Sequence, residues 1–219
     1  MPLEIAEGVI GAVEILAHIA SASKPKRIFD IFFSFFGLII LLPFLIIISV
    51  VIIFNSGFPV FYIQRRVGKE GVDFSLLKFR TMKKDADKMG LLTVGGRDPR
   101  ITNIGYFLRK YKLDELPQII NVFIGDMSFV GPRPEVRKYV DLYTDEQKLV
   151  LKIKPGITDY ASLEYFNENE LLALSKEPEI TYINEIMPAK LELNKKYLKE
   201  AGVITDTKII LRTFGKIFS

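Results

Sequence analysis

Two adjacent carboxylates, Asp114 and Glu115, precede a proline in the stretch LDELPQ, residues 113–118. Neighbouring side chains point about 100° apart on a helix and to opposite faces of a strand, so both reach one site only from a turn or a helix end. Pro117 favours such a place, because it restrains the residue before it and suits the first turn of a helix. The pair is a candidate for carboxylate chemistry, although an ordinary surface pair at a helix cap has the same spacing.

Cations close to this pair indicate which chemistry it would carry out. Arg109 and Lys112 stand just before it in the chain. A carboxylate near cations keeps a low pKa and stays charged. The start of a helix adds partial positive charge, which favours ionised carboxylates and bound phosphate. We therefore expect Asp114 and Glu115 to act as a nucleophile or a metal ligand rather than as general acids.

A rigidly held arginine follows in the segment GPRP. Arg133 lies between Pro132 and Pro134, which fix their own backbone and restrain the residues before them. A guanidinium can bind two phosphate oxygens at once. Further basic residues occur in the segments QRRVG and KFRTM, namely Arg65, Arg66, Lys78 and Arg80. These cations and the two carboxylates together predict a site for a phosphorylated substrate.

The composition narrows the class of protein. The chain has 219 residues, a net charge of +4 and no cysteine, which excludes disulfides and thiolate metal sites. His18 is the single histidine, so acid–base chemistry must rest on carboxylates, Lys or Tyr. The sequence pI of about 9.1 fits phosphate-bearing partners or an anionic membrane surface. Hydrophobic residues make up 49% of the chain, which is high for a soluble enzyme.

A membrane segment accounts for this apolar excess. Residues 28–54 carry a single charge, Asp30, for which a local ion pair with Lys26 or Arg27 is expected. As one helix the segment would be roughly 40 Å long, enough to cross a hydrocarbon core of about 30 Å. Pro43 interrupts it near the middle, where it removes a backbone hydrogen bond.

Basic residues flank both ends of this segment and indicate how it meets the bilayer. They are Lys24, Lys26, Arg27, Arg65, Arg66 and Lys69. Cytoplasmic flanks attract Lys and Arg, so a helix that bends at Pro43 and returns to the same face satisfies both clusters. The alternative is a spanning helix that Pro43 merely kinks. We favour the re-entrant hairpin and divide the chain into an N-terminal extension (1–23), a re-entrant membrane helix (24–57) and a cytoplasmic catalytic domain (58–219).

The remainder predicts a mixed α/β fold that is helix-rich with a small sheet. Residues 60–68 and 72–82 are typical of two strands joined by the turn KEG. Helices are predicted over 102–111, 117–125, most of 134–153, 185–200 and 206–218. The last of these has basic residues on one stripe and apolar residues on the other, so it either lies in the membrane interface or packs on the domain core.

In this order, the segments resemble one family, the small monotopic phosphoglycosyl transferases among the bacterial sugar transferases. The resemblance covers roughly residues 24–160 and its other motifs are Gln64-x-Arg66-x-Gly68, Lys78-Phe79-Arg80-Thr81-Met82, Asp98-Pro99-Arg100-Ile101-Thr102, Gly125-Asp126-Met127-Ser128 and Lys154-Pro155-Gly156-Ile157-Thr158. Each motif alone has little specificity, whereas the ordered set is very specific. The chain resembles the minimal form of the family, which lacks a long N-terminal region of several helices.

The resemblance implies a two-step reaction at the start of glycoconjugate assembly. A nucleoside-diphosphate sugar, usually a UDP-sugar, would give a phosphosugar to undecaprenyl phosphate and release UMP. Asp114 matches the nucleophile, which forms a covalent phosphosugar-aspartate, and Glu115 matches the carboxylate that helps to hold Mg²⁺. Covalent catalysis divides a displacement between two mutually repelling anions into two steps, and an ionised carboxylate needs no base to activate it.

The same resemblance supplies the remaining site residues and the partners. The predicted substrate- and phosphate-binding residues are Gln64, Arg66, Lys78, Arg80, Arg109 and Arg133. The expected partners are a UDP-sugar, undecaprenyl phosphate and membrane lipid, without nucleic acid, and a homodimer is left open. The expected location is the cytoplasmic face of the bacterial inner membrane.

Three departures from the family pattern limit what is carried over. Leu42 stands before Pro43 where Ser is frequent, and Val67 replaces a frequent Pro. Residues 159–162 read DYAS where many members have Gly followed by Ala-Gln. Because residues 159–190 are expected to shape the sugar pocket, the sugar is not assigned.

Two other functions are compatible with parts of the sequence. A membrane-anchored assembly or regulatory protein could keep this fold without chemistry, although the intact carboxylate pair and Arg133 argue against it. A basic nucleic-acid binder would need a recognisable binding module and would leave residues 28–54 unexplained.

Overall fold

The computed structural model describes residues 2–86, 92, 93, 95 and 98–218. In chain order its elements are α1 (Pro2–Ser56), β1 (Phe61–Val67), β2 (Asp73–Phe79), α2 (Asn103–Lys110), α3 (Gln118–Ile124), β3 (Ser128–Val130), α4 (Arg137–Val140), β4 (Gly156–Thr158), α5 (Tyr160–Glu164), α6 (Glu168–Ala173), α7 (Pro178–Thr181), α8 (Met187–Glu200) and α9 (Val203–Phe218). The predicted helix-rich α/β fold with little sheet is therefore confirmed.

The long apolar segment belongs to one helix. Helix α1 runs through Pro25 and Pro43, so the predicted division near residue 24 lies inside it and the bend at Pro43 stays a prediction. From Val13 to Ser56 it is long and apolar enough to cross a bilayer, judged by length and composition. Only 11% of its most apolar window is buried, which distinguishes it from the core helix of a soluble protein.

The basic end of this apolar segment is fastened to the globular part. The Lys26 ammonium forms an ion pair with Asp206 of α9 and donates to the Tyr197 hydroxyl of α8 at 2.6 Å. Arg27 donates to the carbonyl oxygens of Val122 and Phe123 at 2.7 and 2.8 Å, at the end of α3. These carbonyls lack partners within their own helix and attract cations. Lys26 and Arg27 therefore hold α1 on the domain.

Asp30 departs from the expected local ion pair. Its Oδ1 accepts from the Ser128 hydroxyl at 3.1 Å and from the Phe129 amide at 3.2 Å, both on β3. The Asp30 side chain is almost completely buried, so it needs hydrogen-bond donors close by. The expected ion pair of Asp30 with Lys26 or Arg27 is therefore wrong. Lys26 is paired with Asp206, and β3 supplies the hydrogen-bond donors for Asp30 instead.

The second half of α1 also packs on the domain. Leu45 and Ile52 are buried against Phe79 of β2 and Leu108 of α2. At the C-terminal end of α1, Arg80 donates to the carbonyl oxygens of Ser56, Gly57 and Phe58 at 2.7, 2.6 and 3.1 Å. Both sides of Pro43 therefore contact the same globular body.

Two small sheets organise the polar part of the domain. Strands β1 and β2 form the predicted antiparallel hairpin, in which Tyr62 faces Lys78 and Arg66 faces Phe74. Strands β3 and β4 pair in parallel, with Ser128 beside Gly156. Parallel strands need a crossover connection, which here includes α4. This pairing joins the GPRP segment to the segment KPGIT.

Helices α8 and α9 close the main core. Tyr197, Leu198 and Ile209 are buried there together with residues of β3 and α4. The helix predicted over most of 134–153 is wrong, since this region contains only the short α4 and a 3₁₀ turn, Gln147–Lys152. Helix α9 packs inward through Asp206 and Ile209, as one of the two alternatives expected.

The ion pair between Lys26 and Asp206 provides a test of how far the domain depends on α1. Substitution Asp206→Asn leaves the Lys26 charge in a nearly buried position, which typically costs about 3–5 kcal/mol. We expect the thermal unfolding midpoint in detergent to fall sharply. The control change Lys24→Met removes an exposed charge two residues before Lys26 and should leave the midpoint nearly unchanged. Equal midpoints for the two variants would contradict this role.

Candidate active site

The two carboxylates lie on a tight turn, as their spacing predicts. Leu113–Glu115 form a 3₁₀ turn that leads through Pro117 into α3. Lys112 begins this turn in the left-handed region, with φ of 55° and ψ of 20°. The buried Asp114 and the adjacent Glu115 thereby reach the same side of the domain, between β2 and the GPRP segment.

Glu115 is held by two cations from distant parts of the chain. Arg133 donates from Nη1 to Oε2 at 3.0 Å and from Nη2 to Oε1, so it contacts both carboxylate oxygens. The Lys78 ammonium donates to Oε1 at 3.2 Å. Paired, multiply bonded charges of this kind are tolerated away from water. The structure thus brings together Lys78, Glu115 and Arg133, which the sequence analysis grouped only by their residue types.

A close backbone contact fixes Arg133. A Cβ at Gly131 would lie 2.4 Å from the Lys154 carbonyl oxygen, and one at Gly156 would lie 2.1 Å from the Gly131 amide nitrogen. Only glycine permits this approach of the two segments. Asp159, which is fully buried, accepts from the Arg133 amide at 3.2 Å and from the Ser162 amide at 2.6 Å, where it caps α5. The departure from the family pattern at Asp159 therefore supports the arginine.

Asp114 and Glu115 have opposite electrostatic surroundings. Burial and then the neighbouring Glu115 charge raise the pKa of Asp114. Burial also opposes ionisation of Glu115, but Arg133 and Lys78 outweigh it and hold the pKa of Glu115 well below its ordinary value. The expectation of a low pKa is therefore correct for Glu115 and wrong for Asp114, because burial and the adjacent Glu115 charge outweigh the cations near Asp114.

The same difference appears in the bonding of the two carboxylates. Among the described residues, Asp114 has neither a hydrogen-bond nor an ion-pair partner, whereas Glu115 has three bonds to cations. Lys78, Arg109 and Lys112 act on Asp114 only through their charge. The Asp114 oxygens are thus held beside cations and remain free to react.

The other predicted cations divide between the site and the scaffold. Arg109 donates to Thr81 and Thr93 at 2.9 and 3.2 Å and is near enough for its charge to act on Asp114. Arg80 does not join the site, since its guanidinium is bound to the end of α1. This geometry gives no support to Arg80 as a phosphate ligand.

Gln64 and Arg66 belong to a second polar cluster, whose Arg66 charge acts on Lys78 beside the pair Asp114 and Glu115, here called the dyad. Arg66 donates to Gln64 Oε1 at 2.9 Å and to Glu135 Oε1 at 2.9 Å. The Tyr182 hydroxyl donates to the other oxygen of Glu135. This cluster lies directly behind Pro134 and completes the support of the GPRP segment.

Asp114 and Glu115 are the carboxylates to consider for the Mg²⁺ that the resemblance implies. Over residues 2–86, 92, 93, 95 and 98–218, no group of three or more His, Cys, Asp or Glu side chains could hold one. Mg²⁺ commonly binds through one or two carboxylates together with substrate phosphates and water. Glu115 would be the protein ligand of such a substrate-completed site.

Sequence reasoning missed Lys112 and Asp159 as site residues. Lys112 was noticed only as a nearby charge, yet its side chain lies over the Phe166 ring at 5.0 Å. The position of Lys112 directly before the turn that carries the carboxylates could have indicated its left-handed backbone conformation. Asp159 carried no such signal, because its contact with Arg133 depends on strand pairing between β3 and β4.

A family model described as bacterial sugar transferase matches residues 21–219. The chain therefore belongs to the bacterial sugar transferases, and it is a transferase by that membership. This agrees with the resemblance found in the ordered motifs.

Named relatives extend over most of the chain. It is 36% identical over 192 residues to the uncharacterized sugar transferase EpsL of Bacillus subtilis (strain 168), covering 88% of this chain and 86% of that protein. It is 34% identical over 197 residues to the UDP-glucose:undecaprenyl-phosphate glucose-1-phosphate transferase of Escherichia coli (strain K12), covering 88% of this chain and 40% of that protein. It is also 32% identical over 197 residues to the UDP-N-acetylgalactosamine-undecaprenyl-phosphate N-acetylgalactosaminephosphotransferase of Aeromonas hydrophila. This match covers 89% of this chain and 44% of that protein.

In the second polar cluster, Arg66 and Tyr182 bind the Glu135 carboxylate, and this predicts that the free energy of unfolding depends on pH. Burial raises the pKa of Glu135, but Arg66, Lys190 and the Tyr182 hydroxyl outweigh it, so the pKa lies below its ordinary 4.5. The carboxylate binds protons less readily in the folded chain. Its stabilisation is therefore fully present above pH 4.5 and is lost as the pH falls through the folded pKa.

Substitution Glu135→Gln tests this directly. At about pH 7 we expect it to cost about 1–3 kcal/mol of unfolding free energy, and the difference from the unaltered protein should shrink toward about pH 4. Denaturant melts across this range measure the difference. Glu164→Gln, at an exposed position, serves as the control. A difference that stays constant with pH would contradict the assignment.

Proposed function

We propose that this protein transfers a sugar phosphate from a UDP-sugar to undecaprenyl phosphate and releases UMP. The observation that carries the proposal is the contrast within the dyad: Asp114 is unbonded among the described residues and lies beside cations, while Glu115 is bound by Arg133 and Lys78. The names of the Escherichia coli and Aeromonas hydrophila relatives supply the substrate classes.

In the first step, an Asp114 oxygen attacks the phosphorus next to the sugar. A bond forms between that oxygen and phosphorus, and the bond between the phosphorus and the bridging oxygen of the diphosphate breaks. UMP leaves with the electron pair, and the phosphosugar remains as an acyl phosphate on Asp114. The aspartyl group thus divides one transfer between two anionic substrates into two displacements.

In the second step, an oxygen of undecaprenyl phosphate attacks the same phosphorus. The bond to Asp114 breaks, and the carboxylate is regenerated as the lipid diphosphate sugar forms. Lys78, Arg109 and Lys112 stabilise the Asp114 carboxylate by their charge before and after each displacement. Arg133, held beside the pair by Glu115, is placed to bind oxygens of the reacting phosphate. When bound with the diphosphate, Mg²⁺ offsets charge on the phosphoryl oxygens, and Glu115 is the carboxylate that would hold it.

The same proposal includes placement at the cytoplasmic face of the membrane. Residues on both sides of Pro43 contact one globular body that carries many charged side chains, so both limbs of α1 belong on the side of the bilayer where that body lies. The basic flanks favour the cytoplasmic side. Ile204, Leu211 and Phe214 are exposed on α9 beside Lys208 and Arg212, a pattern that fits an interfacial helix.

The nucleophile is tested by Asp114→Asn. Because an amide oxygen is a poor nucleophile, this variant should lose UMP release from the accepted UDP-sugar by at least about a thousandfold and should carry no phosphosugar adduct in mass spectrometry. Asp145→Asn, at an exposed position, should behave like the unaltered protein. A variant at position 114 that turned over at an undiminished rate would exclude the proposed mechanism.

The membrane arrangement is tested by labelling. The chain has no cysteine, so single replacements Ser23→Cys and Glu70→Cys give one reactive site each, at exposed positions on either side of the apolar segment. We expect an impermeant maleimide to label both in inside-out vesicles and neither in intact cells. Labelling of the two positions from opposite faces would establish a spanning helix instead.

A further inference from the structure

Lys112 occupies a special position at the start of the dyad turn. Its backbone is in the left-handed region, which non-glycine residues seldom adopt, and the next three residues form the turn that carries Asp114 and Glu115. Its charge acts on both carboxylates and on Arg133. A change at Lys112 is therefore felt directly at the reacting groups.

The Lys112 ammonium differs from the other cations near the dyad in its bonding. Lys78 and Arg133 are bonded to Glu115, and Arg109 is bonded to two threonine hydroxyls. Within the described part of the chain, the Lys112 ammonium has no hydrogen bond, and it lies 5.0 Å from the centre of the Phe166 ring. A ring contact orients the ammonium while leaving N–H donors available to an anion.

The Phe166 ring, which contacts this ammonium, lies in a segment with several polar contacts. Phe166 stands between α5 and α6, next to Glu168, which accepts from Lys190 at 2.7 Å. The Asn169 carbonyl oxygen accepts from the Gly95 amide at 2.9 Å, so this segment also contacts part of the loop before α2. Helix α1, which carries the exposed apolar residues, packs mainly on α3, whereas α5 packs on α8 and α9 and α6 packs on α7. A lipid acceptor is confined to the bilayer that an apolar helix enters, so the polar segment around Phe166 suits a water-soluble donor better.

We propose that Lys112, oriented by Phe166, binds the diphosphate of the nucleoside-diphosphate sugar and thereby determines affinity for the donor rather than for the lipid acceptor. This inference rests on the proposed function and assigns a donor contact to the one unbonded cation described beside the dyad. It makes residues 165–170 part of the donor site.

The test compares KM values for the two substrates in the variant Lys112→Asn. Asparagine tolerates the left-handed backbone, so the dyad turn is kept while the charge is removed. We expect the KM for the UDP-sugar that the unaltered protein accepts to rise about tenfold or more, with the KM for undecaprenyl phosphate unchanged. Calorimetric titration with UDP in buffer containing Mg²⁺ should show a matching loss of affinity. The variant Lys112→Arg keeps the positive charge and should retain most of the donor affinity, both as the KM for the UDP-sugar and as the affinity for UDP.

A second variant and a matched control complete the experiment. Phe166→Leu keeps the charge but removes the ring, and it should raise the donor KM about threefold if the ring only orients the ammonium. Lys110→Asn removes an exposed lysine that also lies near a ring, 5.5 Å from the centre of Tyr111, and should change neither KM.

Two results would overturn the inference: a donor KM and UDP affinity unchanged in Lys112→Asn, or an increase confined to the acceptor KM. If Lys112→Asn does not fold, an unchanged donor KM in Phe166→Leu would overturn the inference instead. If the unaltered protein releases UMP from no donor, the proposed function fails, and the UDP titrations still decide whether Lys112 binds a nucleoside diphosphate.

Discussion

The shared use of Glu115 by Arg133 and Lys78 is the interaction on which the site depends. A carboxylate removed from water requires opposing charge and hydrogen-bond donors, and here the turn before α3 receives them from β2 and from the GPRP segment. Three distant parts of the chain must therefore meet at one side chain. Among the residues that the structure describes, Asp114 has no hydrogen-bond partner, since Lys78 and Arg133 bond to Glu115 and Arg109 bonds to threonine hydroxyls. One carboxylate of the pair is therefore bound and the other is left available.

The long apolar helix α1 is an integral part of this arrangement. Arg27 of α1 binds the last carbonyls of α3, and Arg80 beside β2 binds the last carbonyls of α1. Each arginine satisfies acceptors that a helix cannot satisfy internally. Because α3 follows the dyad turn and β2 carries Lys78, both contacts connect α1 to elements that position the site. Basic residues next to an apolar segment can thus stabilise the fold by binding helix ends, in addition to orienting the segment in a membrane.

Local signals predicted much of the local structure. Thr102 caps α2 and accepts from the Gly105 amide at 3.0 Å, and Gly125 ends α3 with φ of 101°, so both helices lie within one residue of their predicted bounds. Pro117 correctly indicated a turn leading into a helix. The hairpin of β1 and β2 followed from residue alternation and from a polar turn. In each case the information lies within a few residues of the feature.

Long-range contacts were harder to predict. Arg80 and Lys78 stand two residues apart in one basic motif, but Arg80 lies past the end of β2 and meets the end of α1. The region 134–153 has helical spacing, yet tertiary contacts leave it mostly in turns. Asp30 found its donors on a strand that no nearby sequence pattern links to it. The ordered motifs revealed the family because a family pattern encodes such distant contacts without explaining them.

The burial of Phe79 and Leu108 beneath Leu45 and Ile52 has a practical consequence. A water-soluble fragment that began after residue 57 would expose these side chains, remove the acceptors of Arg80 and take away the partners that Asp206 and Ser128 find on α1. Protein for crystallisation or inhibitor screening should therefore keep the apolar helix, with a detergent or nanodisc around it. The globular part and this helix satisfy each other's buried groups and are best prepared together.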